Sequence, residues 1–325
     1  MQSESPNGTA GLRPTITSIL EDSTDLQKAD FLRQINAGGY APEIVAELAR
    51  VIKERATLSR IEEVSDIVGT GGDSKNTINV STAAALVVSS MGVKIAKHGN
   101  YGATSNKGSA DFLKSLGYNF EMNQQSLEKR ISKSSFAFIL APRYNDSFAK
   151  FAAARKMIPA KTAFNYLGPL TNPADPDVMM LGVTSAEISN LYSSYLMLNN
   201  KTGCVLYSED GMDEVSPYSR TNITIVEDGE ISKMTVRPER ILGEKIGIEH
   251  ISAIDPERSF ELTRNGIEGS DRNAAKFIAL NAGLSLCLNR KFGDIEDGFR
   301  NALESIDSGS VQEHLKKVME VSSHE

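Results

Sequence analysis

The sequence predicts an α/β fold: a small N-terminal all-helical domain hinged to a larger domain with a mostly parallel central sheet flanked by helices. Three observations predict it. Short apolar runs of strand length recur at Ile67-Val68, Val93–Ile95, Phe136–Leu140 and Cys204–Tyr207. Between them lie helix-length stretches, Ser81–Met91, Ser109–Leu116 and Asp146–Met157, and strand–helix alternation is the signature of a parallel sheet. Over residues 14–58 the pattern is helical, with Ile44, Leu48, Val51 and Ile52 at i, i+4, i+7 and i+8.

In chain order, residues 1–13 are polar with Gly and Pro and predict a disordered lead-in. Residues 14–58 predict three or four short helices, one carrying Phe31, Leu32 and Ile35 and ended by Gly38-Gly39. Their apolar stripes are narrow and need a partner surface, either the main domain or a second subunit. The helical domain is placed at 14–63, joined by about 160–186, and the α/β domain at 64–159 and 187–325. Lys161–Pro173 is rich in Gly, Pro and Asn and predicts a linker or hinge reaching over a site. Thr221–Val226 and Ile231–Val236 flank Glu227-Asp228-Gly229-Glu230 and predict a β-hairpin. About the last 70 residues are helical, with Asn273–Leu288 the most apolar part.

Composition narrows the function. With 40% hydrophobic and 24% charged residues, the 325-residue chain suits a globular protein. Its net charge of −7 gives no long-range help to nucleic-acid binding. No apolar run reaches the ~18 residues of a membrane span, so the expected location is the cytoplasm. The two cysteines, Cys204 and Cys287, sit in apolar contexts and read as buried reduced thiols. No Cys/His cluster suggests zinc, and no GxSxG, HExxH or Walker A motif appears. With four histidines in all, a Ser-His-Asp triad is improbable. The chemistry expected is positioning and electrostatics, with no covalent nucleophile.

The candidate residues fall in clusters. Gly69-Thr70-Gly71-Gly72-Asp73 follows an apolar run, and its glycines let bare N–H groups approach an anion. Asp73 suits a sugar hydroxyl or a metal-linked diphosphate better than a plain phosphate. Asn79-Val80-Ser81-Thr82 opens a helix that Ser81 or Thr82 could cap, a second anion-binding feature. Lys97-His98-Gly99-Asn100 comes straight after the Val93–Ala96 run, at the end of a strand where open α/β sheets bind ligands. Gly108-Ser109-Ala110-Asp111 starts another helix. Adjacent Asp213-Glu214 on a loop suits Mg²⁺, or a solvated acidic turn. Arg155 could grip a carboxylate through two parallel hydrogen bonds, or lie on the surface.

Together with Asn165-Tyr166-Leu167-Gly168-Pro169-Leu170-Thr171-Asn172-Pro173 and Asp213-Glu214-Val215-Ser216-Pro217, these motifs closely resemble the anthranilate phosphoribosyltransferase family in order and spacing. The resemblance runs from about residue 15 to the C-terminal helices. It implies transfer of the 5-phosphoribosyl group from 5-phosphoribosyl diphosphate (PRPP) to the amine of anthranilate, in tryptophan biosynthesis. It also implies Mg²⁺ and a homodimer built through the helical domain. By this match Gly69, Gly72, Asp73, Thr77, Asn79, Val80, Ser81, Thr82, Lys97, His98, Gly99, Asn100, Tyr101, Gly102, Ala103, Thr104, Ser105 and Ser109 would hold PRPP. Gly69, Asn100 and Arg155 would hold anthranilate, and Ser81, Asp213 and Glu214 would serve Mg²⁺. Two positions depart from the pattern: Tyr101 where Arg is common, and Asn145-Asp146-Ser147-Phe148 where a His-Pro-Ala-Met stretch is usual. The second bears on the outer path of the acceptor. The rival functions are a pyrimidine nucleoside phosphorylase and a nonenzymatic nucleic-acid-binding relative of the same fold.

Overall fold

A computed structural model describes residues 12–102 and 107–323. Its centre is a seven-stranded sheet in the order β3-β2-β1-β4-β5-β6-β7. The strands are β1 (Ser65–Gly69), β2 (Ile95–Gly99), β3 (Phe136–Leu140), β4 (Val178–Gly182), β5 (Thr202–Ser208), β6 (Thr221–Glu227) and β7 (Glu230–Val236). The first five run parallel, and β6 and β7 form the expected antiparallel hairpin. Two expectations are corrected. β2 pairs with β3 through Gly99 opposite Leu140, so Lys97 and His98 lie inside the strand instead of beyond it. β4 falls within the 160–186 stretch assigned to the helical domain, yet it lies between β1 and β5. Met179 to Gly182 are buried, as both faces of a central parallel strand must be.

Three helices open the described chain: α1 (Leu12–Asp22), α2 (Asp25–Ala37) and α3 (Pro42–Glu54). Leu12 and Arg13 thus belong to a helix rather than to the expected lead-in, and Arg13 pairs with Glu54 on α3; residues 1–11 lie outside the described residues. Thr24 and Gln27 form a reciprocal capping box that fixes where α2 starts. Next come α4 (Val80–Ser90), α5 (Ser109–Ser115) and α6 (Gln124–Ser134). The helix expected over Asp146–Met157 is broken into α8 (Ser147–Lys150) and α9 (Ala152–Lys156), preceded by α7 (Ala141–Tyr144). The supposed linker folds as α10 (Phe164–Leu167) and a 3₁₀ turn, Gly168–Leu170. Phe164, Leu167 and Leu170 recur every third residue and are buried, which a linker would not be. The rest comprises α11 (Ala186–Leu198), α12 (Pro238–Leu242), α13 (Pro256–Glu268), α14 (Arg272–Leu288), α15 (Ile295–Asp307) and α16 (Ser310–Ser323).

Strand alternation divides the core. Met180, Cys204 and Leu206 face α4 and the C-terminal helices, packing with Leu86, Phe277 and Leu280. Met179, Leu181 and Val205 face the other way, into a cluster that also holds Ile16, Leu32 and Leu48 of α1–α3. The N-terminal helices therefore bury their stripes within the same molecule, against one another and against α9, α10 and α11, in the cluster on that side of the sheet. Both cysteines are free; Cys204 is buried and Cys287 half-buried. Among the described residues no helix is long and apolar enough to cross a membrane.

Candidate active site

β1 lies between β2, which leads to β3, and β4, which leads to β5, so the chain switches direction across the sheet at β1. The crevice beyond the C-terminal ends of strands at such a switch point is where open α/β sheets hold ligands. β1, β2 and β4 all end there in glycine: Gly69, Gly99 and Gly182. The reason is close approach. A Cβ on Gly69 would lie 2.3 Å from Oδ2 of Asp213, and one on Gly182 would lie 1.7 Å from its carbonyl oxygen. Only bare backbone lets the Asp213 loop sit on the strand ends. Gly71 and Gly72 then turn with φ of +67° and +78°, and the Gly71 N–H donates to Asp213 Oδ2 at 2.7 Å.

Asp73 joins the acidic pair. Carboxylate oxygens of Asp73, Asp213 and Glu214 all lie within 4.8 Å of one another. Thr77 donates to Glu214 Oε2 at 3.2 Å, and the Lys75 N–H to Asp73 Oδ1 at 3.1 Å. Asp73 Oδ2 is buried with no partner. Burial, reinforced by Asp73, pushes Asp213 up to about 6; burial first and then its acidic neighbours raise Glu214 well above the ordinary range, and Asp73 also rises, chiefly through burial. Three crowded acids that resist ionisation together, one oxygen orphaned, fit a hard divalent cation, which takes oxygen ligands.

Beside them the N-terminus of α4 is open. Asn79 is its N-cap residue, in place of the expected Ser81 or Thr82, and no side chain caps the helix. The Asn79 amide donates to the Lys107 carbonyl at 2.9 Å, which leaves its buried Oδ1 without a partner. Thr70 Oγ1 is orphaned as well. The Asn79, Val80 and Thr82 N–H groups are already used, by Thr263 Oγ1 and the Ile78 and Asn79 carbonyls, so among the described residues the Ser81 N–H and the helix dipole are what this end offers an anion. Val80 is fully buried in the core and its N–H already donates to the Ile78 carbonyl at 2.7 Å, so its part is to pack the start of the helix. The second helix start behaves differently: the Asp111 carboxylate accepts from the Gly102 and Gly108 N–H groups at 2.7 and 3.0 Å, occupying that end from within. Ser109 Oγ donates to the Asn100 carbonyl at 3.3 Å, and Asn100 and Tyr101 are exposed. Ala103, Thr104 and Ser105 lie outside the described residues.

In β2, the buried Lys97 ammonium donates to the Ile67 carbonyl. Burial lowers its pKa while Asp66 and Glu214 oppose the shift. His98 is pushed down to about 4, first by burial, and is neutral at pH 7. Its Nδ1 lies 3.2 Å from the Gly168 carbonyl, which can only accept, so Nδ1 carries the proton. Sequence reasoning missed Asp66 and the use made of Asn172. Asp66 accepts from Asn172 Nδ2 at 2.9 Å and from the His98 N–H at 3.2 Å, and Asn172 also donates to the Ala96 carbonyl at 2.8 Å. The Gly168–Asn172 segment is thereby stapled to β1 and β2. Asn281, missed too, holds the acidic loop by accepting from the Val215 N–H at 2.9 Å and donating to its carbonyl at 3.2 Å. A lone Asn in the apolar run of α14 was its only visible signal.

Arg155 on α9 is half-buried and makes no side-chain hydrogen bond or ion pair among the described residues; burial alone lowers its pKa. A guanidinium in that state is free to pair with an anion. Asn145, by contrast, is already engaged: its Nδ2 donates to the Ile52 carbonyl at 2.6 Å, tying the start of the α8–α9 segment to the end of α3.

A glycine-rich loop, an acidic triad and the start of α4 thus meet at the switch point. The family described as "Glycosyl transferase family, a/b domain" matches residues 62–312. An anthranilate phosphoribosyltransferase of Picrophilus torridus is 40% identical over 298 residues, covering 91% of each chain. The anthranilate phosphoribosyltransferase structure from Thermus thermophilus superposes with a TM-score of 0.89 at 30% identity, covering 97% of this chain and 96% of that one. The Saccharomyces cerevisiae enzyme in complex with PRPP and Mg superposes with a TM-score of 0.86 at 27% identity, covering 97% and 93%. The chain belongs to the anthranilate phosphoribosyltransferase family.

Proposed function

We infer that this protein transfers the 5-phosphoribosyl group of PRPP to the amine of anthranilate and releases diphosphate, a step of tryptophan biosynthesis. The observation that carries this is the juxtaposition of the Asp73–Asp213–Glu214 triad with the uncapped start of α4 at the switch point. Gly69–Asp73 and the first turn of α4 receive the diphosphate and ribosyl phosphate, with Thr77, Asn79, Ser81 and Thr82 offering polar groups. Asp213, Glu214 and the orphaned oxygen of Asp73, with Ser81, would hold Mg²⁺, which would supply positive charge to the departing diphosphate. Arg155 grips the acceptor carboxylate, and Asn100 and the backbone at Gly69 help orient its amine toward C1 of the ribose. That amine is neutral at pH 7, so no strong general base is required. The C1–O bond breaks as the N–C1 bond forms, and the amine proton passes to solvent or to the departing diphosphate. The protein works as a homodimer joined through its helical layer, in the cytoplasm.

Calorimetry tests the donor site. Mg²⁺-dependent PRPP binding is expected in the wild type and to weaken at least about tenfold in Asp213→Ala/Glu214→Ala. An unchanged Mg²⁺ titration would remove these carboxylates as ligands.

A further inference from the structure

We propose that Asn281 is a positioning residue for the metal carboxylates: with Ser208 and Thr221 it holds the Asp213–Glu214 loop in the shape that binds a divalent cation, and so sets the cation affinity. The proposal rests on the metal assigned above. Backbone groups of a loop must find partners in water, in other backbone or in side chains, and here buried side chains supply them. The Val215 N–H donates to Asn281 Oδ1 at 2.9 Å, and Asn281 Nδ2 donates to the Val215 carbonyl at 3.2 Å, a two-point clasp on the residue next to Glu214. The same Nδ2 donates to the Phe277 carbonyl at 3.1 Å, one turn back in α14, which fixes the amide in its helix. Asn281 is 1% exposed, so water cannot take over its bonds.

Two hydroxyls complete the cage. Ser208 at the end of β5 and Thr221 at the start of β6 stand opposite each other in the ladder. The Ser216 N–H donates to Thr221 Oγ1 at 3.0 Å, and Ser208 Oγ donates its single proton to the Glu214 carbonyl at 2.7 Å. The 2.6 Å contact between the two hydroxyls must then carry the Thr221 proton to Ser208. Glu214 and Ser216 are thus bridged by side chains on one side of the loop, and Val215 is clasped on the other. Asp210 closes the base of the loop, accepting from the Met212 N–H at 3.0 Å and from Ser216 Oγ at 2.9 Å. Ser208, Ser216 and Thr221 are all buried. The triad explains the need for this cage. Carboxylate oxygens of Asp73, Asp213 and Glu214 within 4.8 Å of one another repel when ionised, and a loop free to move would open. Held from behind, the carboxylates stay spaced for a cation before one arrives.

Titration of the protein with Mn²⁺ in the absence of substrates tests this, read from the paramagnetic resonance signal of the free ion; Mn²⁺ takes the same oxygen ligands as Mg²⁺. The Mn²⁺ Kd is expected to rise about tenfold in Asn281→Leu and in Thr221→Val. Thr221→Ser, which keeps the hydroxyl, should bind Mn²⁺ like the wild type. In steady-state kinetics the Mg²⁺ concentration giving half the maximal rate should rise by the same factor, while the anthranilate KM at saturating Mg²⁺ stays unchanged. Should Asn281→Leu not fold, Thr221→Val and Ser208→Ala carry the same expectation. A lowered melting temperature with unchanged Mn²⁺ affinity assigns these side chains to stability alone and overturns the proposal. A wild type that binds no Mn²⁺ overturns the metal assignment, and this proposal with it. A wild type that binds Mn²⁺ but consumes no anthranilate overturns the acceptor alone, and the order of Mn²⁺ affinities among the variants still decides the role of Asn281.

Discussion

Asp66 shows how much a single buried side chain can organise. It stands in β1 with 1% exposure, and burial lifts its carboxyl to about 6 against the pull of Lys97, Asn172 and the His98 N–H. Because the folded value lies above the ordinary 3.8, folding favours the protonated form. The stability this contributes is complete below about pH 4 and is lost as pH rises through about 6. Asp66→Asn cannot titrate there. The melting temperature of the wild type relative to Asp66→Asn should therefore fall between about pH 4 and pH 7; a difference that does not vary with pH contradicts the burial argument. The sequence hid this residue inside what looked like an apolar run, Asp66-Ile67-Val68. Its partners are remote, Asn172 lying 106 positions away, and only the pairing of β1 with its neighbours brings them together. Asp213 and Glu214 were legible as an adjacent pair, whereas their meeting with Asp73 depends on the folded loop.

At the level of elements, glycine spacing was the readable signal and strand order was not. Gly69 to Asp73 announces a turn, but the need for Gly69 comes from Asp213, across the crevice. Gly69→Ala should push that carboxylate out of the triad and lower kcat/KM by about a hundredfold, with weakened Mg²⁺ dependence; near-wild-type kinetics would mean that the loop yields freely. β4 escaped notice because Val178–Gly182 is short, apolar on both faces and adjacent to the Gly- and Pro-rich stretch that reads as a linker. Periodicity cannot separate such a run from a buried helical turn. The same stretch misled in the opposite sense: Asn172 and the apolar residues of 164–170 make it a packed part of the crevice wall. The α8–α9 break at Phe151 was equally invisible, although it sets the face that Arg155 presents.

For the whole molecule, the sheet with helical layers on both faces follows from the alternation of helix and strand and was legible throughout. The partition between two bodies was not, because the N-terminal helices, α11 and one face of the sheet share one apolar cluster. The proposed dimer belongs to this scale too, while the exposed Leu26 on α2 and Leu198 at the end of α11 are single apolar residues that do not by themselves mark an interface. Sedimentation at micromolar concentration should give twice the 35.3 kDa chain mass; a monomer would contradict the proposed dimer and leave the chemistry of one site unaffected. The most direct measurement concerns that chemistry. Protein, anthranilate and MgCl₂ are mixed, PRPP is added, and anthranilate fluorescence is followed. The expected result is a decay that requires both PRPP and Mg²⁺, with diphosphate released in equal amount to the anthranilate lost. A steady signal from folded protein would contradict phosphoribosyl transfer to anthranilate.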